Sequence, residues 1–390
     1  MDKIEHVNYL KNGVVELDET FIQYKNDKAG IIEMSQYDHA FLLWFIDEFK
    51  PSKILEVGIA AGGTDALILM YLEKIGLQSV FYSADLNNNV YYDRYKKTGY
   101  LADEVYEDLN LAEKGIIYRQ YLGHTVADCI EEIGEGIELL IIDTVHSLPG
   151  EILDFIACLP FLSDNAIVIL HDIRLNHFGI NRRAFATKVL FDVVKAEKFY
   201  TCDDVDDGRE TNIAAFRITD ESKKYILDVF SSLTLTWEYI PDDIIWEEYR
   251  KIVEKYYDSV CLKHFDSGLA LNIVSRNMHE NAVKEHRNGD IEILESKLKA
   301  EKNILIYGCG FLGKRYYHYA IENGYNIQGM VYSDDYNISA REMAGYNIPV
   351  YRLSEVPFEP EQAFFVIAVG EKIHATIEKN LKDAGFCNYM

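Results

Sequence analysis

Two carboxylates and two histidines stand where apolar runs of the sequence end. The run ELLIID ends at Asp143 and the run AIVILHD ends at Asp172, with His146 and His171 close to them. Two neighbouring carboxylates can bind a hard cation such as Mg²⁺, which favours deprotonation of a hydroxyl group bound to it. Alternatively, a histidine can act as the general base that takes the hydroxyl proton. In a third interpretation, both aspartates cap helices and His171 makes a structural hydrogen bond.

From these residue types we predict that His146, His171 and Asp172 are catalytic. Asp143 and Asp172 are the candidate ligands of a Mg²⁺ ion.

A glycine-rich segment follows the apolar run ILEV. Gly58, Gly62 and Gly63 lie between this run and a helical pattern. Glycine at such a turn lets the backbone approach a ligand closely. Asp85 ends the next apolar run, where a carboxylate can accept hydrogen bonds from both hydroxyl groups of a ribose. The segment therefore predicts a nucleoside site, with a plain strand-to-helix turn as the alternative.

Short apolar runs alternate with amphipathic stretches between residues 51 and 219. This alternation is typical of parallel strands that are covered by helices on both faces of a sheet. The runs KFYTC and NIAAFRIT predict an antiparallel hairpin at the sheet edge. The predicted fold class is therefore α/β, a doubly wound Rossmann-like sheet. Ligands bind at the carboxyl ends of such strands, where the glycine segment and the acidic residues would meet.

A second glycine loop begins a smaller α/β pattern. Gly308, Gly310 and Gly313 follow the run NILIY and precede a helical pattern, and Asp334 follows the next apolar run. In this context a GxGxxG sequence predicts nucleotide binding. The predicted second Rossmann-like unit binds a nucleotide or a nucleotide-sugar, or else serves as a scaffold for oligomerisation.

Composition and charge limit the possible partners. The chain has 39 Lys and Arg against 64 Asp and Glu, and this formal net charge of −25 repels phosphate backbones and anionic bilayers. No secretory signal pattern, bilayer-spanning apolar run or CxxC pair occurs among its residues. We therefore expect a cytoplasmic protein with no nucleic-acid partner and no membrane insertion.

Four motifs in order, ILEVGIAAGGT, SADL, LLIIDTVHS and AIVILHD, resemble those of the class I S-adenosylmethionine-dependent methyltransferases. The similarity covers residues 36–219. It is strongest to the branch with an ExGxxxGG(S/T) loop, which includes macrocin-type sugar O-methyltransferases and relatives known as cephalosporin hydroxylases. The resemblance implies S-adenosylmethionine as cofactor and O-methylation of a sugar or polysaccharide precursor.

The cofactor-binding residues implied by this resemblance are Glu56, Gly58, Gly62, Gly63, Asp85, Gly123, His124 and Asp143. In the metal-dependent members of the family, an acidic pair follows the fifth strand. Here His171 stands where the family often has the second acid of that pair.

We predict four segments. They are an N-terminal helical extension over residues 1–50, the methyltransferase domain over 51–219, a helical connector over 220–300, and a Rossmann-like nucleotide-binding domain over 301–390. The connector aromatics, among them Tyr239 and Tyr249, are expected mainly in the core, with a substrate pocket or an oligomer face as alternatives.

Two further functions stay open beside methyl transfer. They are an NAD-dependent oxidoreductase and a nucleotide-sugar-binding protein, each using the second glycine loop. The expected partner is a small sugar or glycan precursor, and a homo-oligomer is compatible with the sequence.

Overall fold

The computed structural model describes residues 7–9, 17, 19–28, 31–32, 34–177, 182–200, 212–336, 338 and 346–390. The chain forms two compact units, Met1–Asn277 and Met278–Met390. The four segment boundaries expected from the sequence stay predictions. None of the described helices combines the length and apolarity that a membrane span requires.

The first unit contains ten strands within its described residues. They are β1 (Val7–Tyr9), β2 (Lys53–Val57), β3 (Val80–Asp85), β4 (Asn89–Val90), β5 (Asp93–Lys97), β6 (Ile117–Leu122), β7 (Ile137–Ile142), β8 (Leu162–His171), β9 (Glu197–Tyr200) and β10 (Ile213–Arg217). Eight of them form one sheet in the order β1-β9-β10-β8-β7-β2-β3-β6, while β4 and β5 pair separately as a hairpin.

The sheet is parallel except at one strand. β10 runs antiparallel to both β8 and β9, whereas β2 pairs in parallel with β3 and β7. This confirms the doubly wound sheet with an antiparallel edge hairpin. The pairing of β1 with β9 was not predicted, because three residues in a mixed segment give no periodic pattern.

Eleven helices of the first unit fall within its described residues, the last of them continuing into the second unit. They are α1 (Glu19–Asp27), α2 (Gln36–Phe49), α3 (Gly63–Ile75), α4 (Tyr100–Asp108), α5 (Val126–Ile133), α6 (Gly150–Cys158), α7 (Ala186–Val193), α8 (Asp220–Lys224), α9 (Ile226–Ser232), α10 (Asp243–Tyr256) and α11 (Ser259–Ala300).

Helices cover both faces of the sheet. Along β8, Val168 and Leu170 belong to the core shared with α5, α6, α7 and α10, while Ile167 and Ile169 belong to the core shared with α2, α3 and α4. Successive strand residues point to opposite faces, so a strand with two covered faces must be apolar at every position. This explains the continuous apolar runs of the sequence and fixes the strand ends as the place for polar side chains.

The second unit has a smaller parallel sheet. Its strands β11 (Asn303–Tyr307), β12 (Ile327–Tyr332), β13 (Val350–Arg352) and β14 (Ala363–Ile367) take the order β13-β12-β11-β14, with helices α12 (Phe311–Glu322) and α13 (Glu371–Asp383). This confirms the predicted second α/β unit. Its ability to bind a nucleotide stays a prediction.

Candidate functional site

A cavity of about 930 Å³ lies at the carboxyl ends of β2, β3, β7 and β8. This is near the upper end of the ~300–1,000 Å³ usual for small-molecule sites. Most of the residues predicted for the first site line it, namely Glu56, Gly58, Gly63, Asp85, His124, Asp143, His146, His171 and Asp172. The fold therefore brings together the glycine loop and three residues that we call the histidine–aspartate cluster, namely His146, His171 and Asp172. The sequence placed these two features at separate strand ends.

The glycine loop after β2 depends on its first glycine. Gly58 has φ +94°, and a Cβ atom there would lie 2.0 Å from the carbonyl oxygen of Asp143. Only glycine permits this close approach to the end of β7. Gly62, at φ +81°, precedes α3, whose first residues Gly63 and Thr64 line the cavity. The partial positive charge of a helix N-terminus is thus available there to an anionic group of a ligand.

Asp85 connects the tip of β3 to this loop. Its Oδ2 accepts hydrogen bonds from the backbone nitrogens of Ile59, at 2.9 Å, and Ala60, at 3.1 Å. Its Oδ1 accepts one from the backbone nitrogen of Asn87 at 2.8 Å. The side chain therefore shapes the loop as well as lining the cavity. The ribose-binding role implied by the resemblance stays a prediction.

Gly123 and His124 follow β6, so they lie at the carboxyl ends of the parallel strands, as the glycine loop does. The backbone nitrogen of Gly123 donates to the carbonyl oxygen of Asp85 at 2.9 Å. His124 lines the cavity, half exposed, with its Nδ1 2.5 Å from Oδ2 of Asp128. Gly62 and Gly123 are each adjacent in sequence to a residue that lines the cavity, but they do not line it themselves.

Glu56 is a buried carboxyl group in the cavity wall. It is 2% exposed, and its Oε2 has no hydrogen-bond partner among the described residues. Burial, and then the proximity of Asp65, hold the pKa of Glu56 well above its usual value. Asp65 in turn accepts a hydrogen bond from the hydroxyl of Tyr118. Glu56 and Asp65 therefore form a pair of neighbouring buried carboxyl groups, of which Glu56 lines the cavity.

His171, the last residue of β8, lies between carboxylates from two elements. Its Nδ1 is 3.1 Å from Oδ1 of Asp143, and its Nε2 is 3.9 Å from Oδ2 of Asp38. Burial alone would lower the pKa of His171, but Asp143 and then the other carboxylates outweigh it and raise the pKa well above the usual value. The surrounding carboxylates therefore favour the charged form of His171 within the cavity wall.

His146 is the second histidine of the cluster, and carboxylates face both of its ring nitrogens. Its Nε2 is 3.0 Å from Oδ2 of Asp172, and its Nδ1 is 3.3 Å from Oε1 of Glu151. Against the effect of burial, the hydrogen bonds to Asp172 and Glu151 raise the pKa of His146 to about 10. His146 and Asp172 both have positive φ, at +57° and +59°. Non-glycine residues in this region are strained and concentrate at functional sites.

The predicted metal ligands lie close enough together to hold a cation. One ligand atom each from Asp143, His146 and Asp172 lies within 4.8 Å of the others. Carboxylate oxygens suit Mg²⁺, but the imidazolium form of His146 cannot coordinate a metal until it loses its proton. The donor set thus fits a hard cation through the two carboxylates, and through His146 only once that ring is neutral.

Several site residues were missed by sequence reasoning. Asp38, Asp154 and Asn212 line the cavity, and the buried Glu151 lies directly behind His146. Asn212 connects one of them, Asp38, to the predicted Asp172, because its backbone nitrogen donates to Oδ1 of Asp38 at 2.9 Å and its amide group donates to Asp172.

One of these residues, Asp38, belongs to a local sequence pattern that could have been recognised. Asp38 forms a capping box with Ser35 at the start of α2, and the spacing S-x-x-D predicts such a helix start. The local pattern does not reveal that Asp38 also approaches His171.

The second glycine loop has a structural explanation for two of its three glycines. A Cβ atom at Gly308, φ +120°, would lie 2.5 Å from the carbonyl oxygen of Ala368, and one at Gly313 would lie 1.7 Å from that of Gly308. At Gly310 a Cβ would meet nothing within 4 Å. Asp334 accepts hydrogen bonds through Oδ1 from the backbone nitrogen and hydroxyl of Ser354, at 3.1 and 2.6 Å. Its ribose-binding role stays a prediction.

A comparison with known protein families finds a match within the first unit. Residues 55–173 match the family model described as a methyltransferase domain. This part of the chain is similar to methyltransferase domains, in agreement with the class predicted from the four motifs. No curated protein matches the chain.

Solved structures with a similar fold are distant in sequence. SAH-bound methyltransferase PaMTH1 from Podospora anserina has 11% identity and a TM-score of 0.39, with 53% of this chain and 91% of that chain covered. The O-methyltransferase TomG from Streptomyces achromogenes, solved with SAM, has 12% identity and a TM-score of 0.39, covering 53% and 92%. CalS11, a TDP-rhamnose 3'-O-methyltransferase of calicheamicin biosynthesis, has 14% identity and a TM-score of 0.35, covering 53% and 98%.

Proposed function

We propose that this protein transfers a methyl group from S-adenosylmethionine to a hydroxyl group of a sugar or polysaccharide precursor. The observation that supports this most directly is the shared cavity. It is lined by the glycine loop at one strand end and by the cluster of His146, His171 and Asp172 at others. A cofactor site and a proton-accepting group therefore face the same space.

The residues of the loop are suited to the cofactor. Gly58 lets the backbone lie close to a ligand, and the carboxyl group of Glu56 lies in the same part of the cavity wall. Asp85 lies at the tip of the adjacent strand, where it can accept from ribose hydroxyls. When bound, S-adenosylmethionine supplies a methyl group on a positively charged sulfur, which an oxygen nucleophile can attack.

The histidine–aspartate cluster is suited to the acceptor hydroxyl. His146 lines the cavity with a carboxylate at each ring nitrogen, so its orientation is fixed before the acceptor arrives. Because the pKa of His146 is raised to about 10, its ring is protonated near neutral pH, so the proton acceptor of the cluster is the carboxylate of Asp172, which the ring orients from 3.0 Å. Alternatively, Asp143 and Asp172 hold Mg²⁺, which would favour the deprotonated oxygen directly.

A transfer assay tests this function. Purified protein is incubated with methyl-labelled S-adenosylmethionine and a panel of sugars and glycan precursors, with and without Mg²⁺, and labelled product is measured. We expect transfer that His146→Gln and Asp172→Asn reduce by about 100-fold or more. Exposed Asp164→Asn, which lies outside the cavity lining, serves as the control.

A different result would point to another function. If no labelled product forms and NADH oxidation requires Gly310, the oxidoreductase alternative replaces methyl transfer. Binding of a nucleotide-sugar without any turnover would instead favour the binding-protein alternative.

A further inference from the structure

Beside the histidine–aspartate cluster, the cavity has a wall formed by Asp154, Tyr239 and Tyr249, which we call the acceptor wall. The Tyr249 hydroxyl donates to Oδ1 of Asp154 at 2.5 Å, and the Thr144 hydroxyl donates to Oδ2 at 3.0 Å. Asp154 is only 5% exposed. Because a carboxylate can accept about four hydrogen bonds, Asp154 retains capacity for donors from a ligand.

No cationic side chain compensates Asp154 in the described part of the chain. Its hydrogen-bond donors are the hydroxyl groups of Thr144 and Tyr249, and it forms no ion pair with another described residue. A buried carboxyl group of this kind is costly unless it receives further hydrogen bonds. Hydroxyl or amino groups of a bound molecule would supply them.

Carboxyl groups outnumber basic side chains among the described residues that line the cavity. Six carboxyl residues line it, namely Asp38, Glu56, Asp85, Asp143, Asp154 and Asp172. Among the lining residues that the structure describes there is no lysine or arginine, and the basic side chains are His124, His146 and His171. Sites for phosphate or carboxylate groups usually supply arginine or lysine. Each of these three histidines already faces at least one carboxylate, so among the described lining residues an anionic acceptor would meet no cationic side chain that is not already paired.

We propose that the acceptor is a sugar without phosphate or carboxylate groups, and that Asp154 binds its hydroxyl or amino groups. This inference rests on the proposed methyl transfer and specifies its substrate class. The hydroxyl group that is methylated then belongs to a free sugar or to an uncharged part of a glycan. The reaction takes place before a phosphate group is added to that sugar or after the phosphate has been removed. A nucleotide-activated sugar is the alternative that the cavity disfavours.

Matched pairs of probes test the substrate class. Protein saturated with S-adenosylhomocysteine is titrated with hexoses and hexosamines, with the corresponding hexose 1-phosphates, and with uridine-diphosphate hexoses, in EDTA and in Mg²⁺. We expect the uncharged and amino sugars to bind at least about tenfold more tightly than their phosphorylated counterparts in both conditions. Tighter binding of any phosphorylated member overturns the inference, as does the failure of all probes to bind.

The failure of the proposed function itself is distinguishable in the same experiment. If S-adenosylhomocysteine does not bind, methyl transfer is contradicted. If it binds and phosphorylated sugars are preferred, only the substrate class is wrong.

The role of Asp154 is tested with Asp154→Asn, which keeps the volume of the side chain. We expect the KM for an uncharged sugar to rise about tenfold or more while the affinity for S-adenosylhomocysteine is unchanged. Tyr239→Phe removes another hydroxyl group of the acceptor wall, and we expect it to raise the KM less than Asp154→Asn does. This second variant tests the wall even if Asp154→Asn does not fold. Exposed Asp164→Asn is the control. An unchanged KM in both wall variants contradicts the role of this wall.

Discussion

Oδ2 of Asp85 lies 2.9 Å from the backbone nitrogen of Ile59, so the tip of β3 holds the glycine loop that follows β2. The residue expected to bind a ribose therefore also fixes the backbone that would surround the cofactor. An alanine at this position would remove both the charge and the support of the loop. Asparagine keeps one accepting oxygen and replaces the other with an amide group that cannot accept, so Asp85→Asn removes the charge while keeping more of the loop support than Asp85→Ala does.

Gly58→Ala should destabilise the first unit more than Gly76→Ala. Both glycines have positive φ, at +94° and +65°, which costs a non-glycine residue about 1–2 kcal/mol. At Gly58 the new Cβ would also lie 2.0 Å from the Asp143 carbonyl oxygen, whereas nothing lies within 4 Å of it at Gly76. We expect urea unfolding to show a loss of roughly 3 kcal/mol or more at Gly58. Equal losses would contradict the close approach.

The doubly wound sheet could be predicted because its causes are local. Strands covered on both faces are apolar at every position, and β8 shows this from Ala166 to Leu170. The glycine loop was readable for a similar reason, since the turn from β2 into α3 requires positive φ at Gly58 and Gly62.

Other parts of the site could not be predicted from local sequence patterns. Asp38 reaches His171 only because α2 packs on the face of the sheet beside β8, and Asp154 meets Tyr249 across a separation of 95 residues. Such contacts depend on tertiary packing, which a single sequence does not display. Among the connector aromatics, Trp237, Trp246 and Tyr249 are buried in the core as expected, and Tyr239 and Tyr249 also line the cavity.

Glu151→Gln should slow methyl transfer without weakening cofactor binding. Glu151 is fully buried, accepts a hydrogen bond from the backbone nitrogen of His146, and lies 3.3 Å from Nδ1 of that ring. Misplacing a catalytic group by about 1 Å can cost on the order of 100-fold in rate. We expect kcat to fall by about 10- to 100-fold at an unchanged Kd for S-adenosylhomocysteine. Exposed Glu113→Gln is the matched control, and a fall in binding alone would contradict the positioning role.

The stability of the first unit should fall as pH rises towards neutrality, partly through Asp154. Burial raises the pKa of this carboxyl to about 7, despite the hydrogen bonds from Tyr249 and Thr144. The folded state therefore holds a proton that the unfolded state has already lost, so the contribution is complete below about pH 4 and is lost as pH rises through about 7.

Asp154→Asn should flatten this dependence. We expect the difference in free energy of unfolding between pH 4 and pH 7 to shrink by up to about 4 kcal/mol, measured by urea unfolding at each pH. An unchanged pH profile would show that Asp154 titrates normally.

In the second unit, Gly313→Ala should be far more costly than Gly310→Ala. A Cβ at Gly313 would lie 1.7 Å from the carbonyl oxygen of Gly308, whereas at Gly310 it would meet nothing within 4 Å. We expect a loss of roughly 3 kcal/mol or more for Gly313→Ala and less than about 1 kcal/mol for Gly310→Ala, from thermal or urea unfolding. Similar stabilities would show that the strand-to-helix turn is not packed as described.

The most direct test of the proposed methyl transfer is a calorimetric titration with S-adenosylhomocysteine of the wild type, Asp85→Asn and Asp164→Asn. We predict micromolar binding to the wild type and to the Asp164 control, and binding weakened by about tenfold or more in Asp85→Asn with its fold intact by circular dichroism. If the folded wild type does not bind S-adenosylhomocysteine, the cavity at the carboxyl ends of β2 and β3 is not a cofactor site, and the proposed function is wrong.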